Sequence, residues 1–247
     1  MATAAEIKSA RQREAIEVRR NRGKTGLMSF VHKTYPGPGG ATVSIGTEAG
    51  DSKSDLKLKA IDTALELLAA KGFTLPTLEF QSTAAAGVPC VAYMGDAGGN
   101  SQYTIFMGPK TGEHNPQILQ NGVPGGLGKD GPRGLADQVY DGTQRWFGNP
   151  RMHNHAATVV IHEIGHVLHE IAAGPLFWDF KLGRQDTATT SGVVSKGCDV
   201  SLYATNNALE FVAETFAGCM SGKSYSESVM AFYRSVGGPF PPSGSFS

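Results

Sequence analysis

Apolar positions along the chain fall into two rhythms. Between about Ser54 and Lys71, Ile61, Leu65 and Leu68 recur at helical spacing, and Gly72 stands where a helix would end. After residue 155 the pattern is again mostly helical, with segments expected at Ala156–Ile171, Asn207–Met220 and Glu227–Val236 and a polar stretch after the first of them. Residues 4–22 also read as a helix. Arg11, Arg13, Arg19, Arg20 and Arg22 leave it only a weak apolar stripe, so a solvated helix or an arm is expected.

The second rhythm is that of strands. Candidates are ATVSIG at 41–46, Leu78–Thr83, the run Cys90–Met94 after Pro89, and Gln102–Met107. In the last, Tyr103, Ile105 and Met107 alternate with Gln102 and Thr104, although Phe106 interrupts the alternation. YPGPGG at 35–40 is a breaker, and the tail GGPFPPSGSFS is expected to be extended or disordered. Residues 108–150 are rich in Gly and Pro with little periodicity, and a rim or lid beside an active site is expected there. Together the elements predict an α+β protein with a small mixed sheet. The expected organisation is a helical extension over 1–40, a main domain over 41–237 and a flexible tail over 238–247.

Composition narrows the function classes. The 247 residues carry 22 Lys+Arg and 22 Asp+Glu, so net charge gives no electrostatic case for nucleic acid or an anionic membrane as partner. No segment approaches the roughly 18 apolar residues needed to span a bilayer. The first 23 residues are charged throughout and lack an apolar h-region. The expectation is a cytoplasmic protein, one whose signal has been removed, or one exported without a conventional signal. Cys90, Cys198 and Cys219 are too few for a disulfide framework. They read as small apolar residues, with a Cys198–Cys219 bridge left open.

The strongest chemical signal is His162-Glu163-Ile164-Gly165-His166. Residues four apart on an α-helix differ by about 40° around the axis and about 6 Å along it, so both imidazoles reach one cation from the same face. Glu163 falls at the edge of that face, where its carboxylate can reach a water on the metal without joining the ligand shell. Every other residue from Val159 to Leu168 is apolar or Gly. A buried helix with one polar stripe needs a partner for that stripe, and a zinc ion supplies it.

Catalytic zinc usually takes three protein ligands. His169 lies on nearly the same helix face, too close in sequence for one straight helix to offer it comfortably as a third ligand. Cys198 and Asp199 fall in an expected loop. Glu210 is the best candidate. Leu209, Val212, Ala213 and Phe216 give its segment an apolar helical face, on which Glu210 and Glu214 stack one turn apart. One carboxylate ligating zinc and the other orienting a ligand histidine accounts for both.

HEIGH followed by NNALEFVAETFAG resembles the gluzincin peptidases, and most closely the metallopeptidase domain of the anthrax lethal factor type. Tyr203 stands seven residues before Glu210, at the spacing of a tyrosine in that group, and the interval from His166 to Glu210 also suits it. The likeness spans about residues 156–220. It implies a zincin-like metallopeptidase domain over 41–237 that binds Zn2+ through His162, His166 and Glu210. Glu163 would then be the general base, Tyr203 the oxyanion donor and Glu214 the group orienting His162. It further implies an endopeptidase acting on a protein or peptide, in the manner of a secreted effector or toxin. A strand such as Gln102–Met107 would bind the peptide by edge pairing.

The rival expectation is a non-catalytic, zinc-stabilised binding or scaffold protein, with His169 or Cys198 closing the metal shell. His153 and His155 read as capping or substrate-side polar residues, and Trp146 and Phe147 as core or pocket wall. A latency role for the Cys90 thiol has no recognisable pro-segment to support it.

Overall fold

The computed structural model describes residues 1–35, 40–88, 91–97, 100–109, 155–201 and 203–246. It is α+β, and its chain divides into two compact units, Thr3–Gly112 and Glu113–Ser247, the latter joined by Met1–Ala2.

The first unit is a mixed sheet with two helices. Helix α1 (Ala4–Arg22) opens with a capping box, in which the Thr3 hydroxyl accepts from the Glu6 N–H and the Glu6 carboxylate accepts from the Thr3 N–H. Arg19, Arg20 and Arg22 lie in its last turn, where positive charge complements the helix dipole. The helix is not solvated all round. Ala10, Val18 and Asn21 are buried, Val18 packs with Val88 and Phe106, and Arg22 pairs with Glu79 at 2.7 Å.

Strands β1 (Met28–Tyr35), β2 (Ala41–Glu48), β3 (Leu78–Ser82), β4 (Val91–Ala97) and β5 (Asn100–Met107) form one sheet in the order β1-β2-β3-β5-β4. β2, β3 and β5 are parallel, and both outer strands run antiparallel to their neighbours. Helix α2 (Ser54–Ala70) makes the crossover from β2 to β3. Its Ile61, Leu65 and Leu68 are buried as expected. Gly72 ends it at φ +75°, with the Phe73 N–H returning to the Leu68 carbonyl.

The order of strands corrects one expectation. β5 is not an edge strand: it is hydrogen-bonded to β3 on one side and β4 on the other, so Gln102–Met107 has no free edge to offer a peptide. Phe106 broke the alternation because β5 is covered on both faces. Phe106 is buried against Val18 of α1, while Tyr103, Ile105 and Met107 are buried as well.

The second unit is helical over its described residues: α3 (His155–Ala173), α4 (Pro175–Lys181), α5 (Thr187–Gly197), a 3-10 turn (Tyr203–Thr205), α6 (Ala208–Met220) and α7 (Glu227–Ser235). The expected polar stretch after α3 thus contains two helices. Pro175 occupies the first turn of α4 and the Asp186 carboxylate caps α5 by accepting from the Thr189 N–H. The tail packs back on α7 and α6. The Tyr233 hydroxyl donates to the Pro239 carbonyl, and the rings of Phe240 and Phe246 stack with Tyr233 and Phe216. Cys198 and Cys219 are both free thiols, so no bridge joins them; Cys219 is buried as expected, but Cys198 is exposed. Cys90, Trp146, Phe147, His153 and the expected rim over 110–150 lie outside the described residues, and His155 opens α3.

Candidate metal centre

Helix α3 forms from an unbroken apolar run. Ala157, Val160, Ile161, Ile164, Val167 and Leu168 are all buried, so the helix is enclosed along most of its surface. His162 and Glu163 are buried with them, which is costly unless each polar group is engaged. Against α3 lies α6, fully buried from Phe211 to Met220. Asn207 caps α6 by accepting from the Glu210 N–H at 3.0 Å, so the ligand candidate Glu210 sits in a fixed first turn.

Gly165 lets the two helices approach. A β-carbon on residue 165 would stand 3.1 Å from Phe216 Cδ1 and 3.3 Å from Ala213 Cα, tighter than nearly all real contacts. Ala213 lies between Glu210 and Glu214 on the α6 ladder, so this contact sets how far both carboxylates stand from the histidines.

Three donor atoms converge. His162 Nε2 and His166 Nε2 are 3.1 Å apart, and Glu210 Oε2 lies 3.2 Å from the first and 3.4 Å from the second. Tetrahedral zinc with bonds of about 2.0–2.1 Å holds its ligand atoms roughly 3.3–3.4 Å from one another. The triangle therefore has the dimensions of one face of such a tetrahedron. Glu210 Oε2 is buried yet takes no well-aligned hydrogen bond, as expected of an atom aimed at a shared point between the rings. His162, His166 and Glu210 are thus a candidate metal-binding triad, and two imidazoles with a carboxylate are donors that suit zinc.

The electrostatics favour a positive charge at the triad. Burial would raise the Glu210 pKa, but His166 and His162 overcome it and hold the carboxyl far below the usual range, so it is ionised. Burial would also discharge His162, but the carboxylates of Glu210 and Glu214 prevail and lift its pKa well above the ordinary value, a field that favours a cation between these groups, whether a proton on the ring or a metal ion that displaces it.

Glu214 lies behind the triad. Its Oε1 is 2.8 Å from His162 Nδ1 and its Oε2 accepts from the Ser201 hydroxyl at 2.7 Å. With a metal ion in the triad, a carboxylate on Nδ1 would hold the proton there and leave the Nε2 lone pair to the metal. Tyr203, on the 3-10 turn, is half-buried with its ring centroid 5.9 Å from that of His162. Burial and the charges of Glu210, Glu163 and Glu214 raise its pKa, so the phenol keeps its proton.

The other ligand candidates lie away from the triad. His169 is fully buried and turned away, its Nε2–H donating to the Val236 carbonyl at 2.8 Å. Cys198 and Asp199 are exposed and outside the cluster. Among the described residues the cluster has three members. Ser201 is the residue that sequence reasoning missed, for a lone serine in a loop has no spacing that marks it.

No family model, curated protein or solved structure matches the chain.

Proposed function

We propose that the chain is a zinc-dependent endopeptidase of gluzincin type, with a zincin-like fold around its centre and a protein or peptide as substrate. One observation carries the reading: His162 Nε2, His166 Nε2 and Glu210 Oε2 converge at 3.1–3.4 Å, with Glu163 on the adjoining helix position. Zinc held there would supply Lewis acidity, polarising a carbonyl and acidifying water. Glu163 accepts a proton from the attacking water and passes it to the leaving amine, a role worth roughly 10²–10⁴-fold in rate. The protonated phenol of Tyr203 donates to the oxyanion that develops on the scissile carbonyl. Glu214 keeps the His162 proton on Nδ1.

The scaffold reading requires a fourth protein ligand. Its two named candidates are accounted for elsewhere, His169 on the Val236 carbonyl and Cys198 at the exposed end of α5. Three protein donors among the described residues, with partly exposed His166 and Glu210 side chains, support a reacting position over a closed shell.

The test is metal analysis joined to cleavage profiling. The purified chain should hold about one zinc and cut a diverse peptide library, while Glu163→Gln keeps the metal and loses cleavage. Full activity in Glu163→Gln would sink the mechanism.

A further inference from the structure

Ser201 is buried, with 3 % of its surface exposed, and its hydroxyl is used twice. The O–H donates to Glu214 Oε2 at 2.7 Å, and the same oxygen accepts from the Ala204 N–H at 3.0 Å. The first bond leads to the metal triad, because the other oxygen of Glu214 holds His162 Nδ1 at 2.8 Å. The second fixes the 3-10 turn Tyr203–Thr205 that carries the phenol.

From this geometry we infer that Ser201 is a positioning residue that ties the orientation of the metal-ligating His162 to the placement of Tyr203. The inference rests on the metal-centre reading above and extends it to a residue that touches neither metal nor substrate.

The chemistry of the links gives the chain a direction. A carboxylate has two oxygens and rotates about its last bond unless both are held. A bond at Oε1 alone fixes the carboxylate plane less firmly than bonds at both oxygens, and the His162 ring moves with that plane. Ser201 pins Oε2, so both oxygens are fixed and the ring plane follows. The Ala204 N–H pulls electron density from the serine oxygen and strengthens its O–H as a donor, as linked hydrogen bonds do.

The backbone around Ser201 is braced to keep it there. The Ser201 N–H donates to the Gly197 carbonyl at 2.9 Å, closing the end of α5. Gly197 itself lies so close to the turn that a β-carbon on it would meet the Ala204 carbonyl oxygen at 2.9 Å. The turn is therefore held from two directions, by the end of α5 and by the serine hydroxyl.

A double-mutant cycle read on zinc affinity tests this without any substrate. Zinc dissociation constants are measured by competition with a chromophoric chelator for the full-length chain, Ser201→Ala, Glu214→Gln and the double variant. Outer partners of ligand histidines typically contribute 10–100-fold to metal affinity. Ser201→Ala should weaken zinc by about 10-fold, and should add nothing once Glu214→Gln is present. Ser201→Cys, nearly isosteric with a weak donor, should fall between Ser201→Ala and the native chain; it serves as the second probe if the alanine variant is too unstable to assay. Losses that multiply in the double variant would overturn the relay. So would a lowered melting temperature with unchanged zinc affinity in the single serine variants. A protein that binds zinc with the predicted coupling but cuts no peptide would overturn the peptidase reading and uphold the relay, whereas a native chain that binds no zinc would overturn both.

Discussion

Gly165 and Ala213 face each other across the α3–α6 contact with room for no side chain between them: a β-carbon on residue 165 would lie 3.3 Å from Ala213 Cα. Because His162 and His166 flank Gly165 and Glu210 and Glu214 flank Ala213, this contact governs the size of the donor triangle. Gly165→Ala gains about 1 kcal/mol of helix propensity but meets a backbone atom that cannot step aside, and overpacking of this kind costs about 1–3 kcal/mol. The helices should part by a few tenths of an ångström. The expected result is a modest fall in melting temperature and a larger fall in zinc affinity. A variant that melts higher than the native chain and binds zinc equally well would show the contact to be slack.

Tyr203 offers a cleaner separation of binding from chemistry. Its phenol stands beside His162 without joining the triad, and burial with the nearby carboxylates keeps it protonated. Tyr203→Phe removes only the hydroxyl. If the phenol serves the oxyanion, kcat should fall roughly 10²-fold while zinc content and KM stay near native. A large loss of zinc from Tyr203→Phe would instead assign the tyrosine to the metal shell.

How much of this was readable in the sequence follows from which physical rules are local. The histidine pair and the Glu210–Glu214 ladder are products of the helix period, so spacing alone puts each pair on one face of its helix, and the fold brings the two faces together. The sequence already favours Glu210 over His169 as the third ligand candidate, although His169 has nearly the same angular position as His162; what the fold adds is the Val236 carbonyl that turns His169 elsewhere. Strand β1 went unread for a different reason. Its side chains from Ser29 to Thr34 are exposed, so it is held by its ladder to β2 and leaves no hydrophobic period. The edge position assigned to β5 failed because strand order is set by pairing across the sheet and not by any pattern within one strand. Helices α4 and α5 did leave local marks, in Pro175 after Gly174 and in Asp186 before a run of threonines, which apolar periodicity alone passes over.

In the first unit, Lys57 and Asp51 form a buried ion pair at 2.8 Å whose remaining valences are filled. Lys57 also donates to the carbonyls of Thr83 and Met107, and Asp51 accepts from the Ser82 hydroxyl and the Lys53 N–H. Removing one partner of such a pair strands the other without solvent, a loss of about 3–5 kcal/mol. Lys57→Met should therefore destabilise the protein by about that much in urea. Asp51→Asn combined with Lys57→Met should cost less than the two single changes summed. Strict additivity would show that the two charges do not depend on each other.

His169 makes the acid side of the stability curve predictable. Burial first, and the nearby charge of His166 second, depress its pKa to about 3 against the opposing pull of the Val236 carbonyl. The unfolded chain takes up this proton near pH 6.5, so the stability that neutral His169 contributes is complete above that value. It is lost as pH falls from there towards 3, at up to about 1.4 kcal/mol per pH unit. Asp51 is also displaced downward: burial pushes it up, but bonds from Lys57 and Ser82 prevail, so its contribution is lost only below the ordinary carboxylate range near 4. The two groups thus act in different windows. His169→Gln can still donate to the Val236 carbonyl but does not titrate, so urea midpoints between pH 7 and 4.5 should fall less steeply than in the native chain. Parallel slopes for the two proteins across that window would mean that His169 is protonated in the folded state.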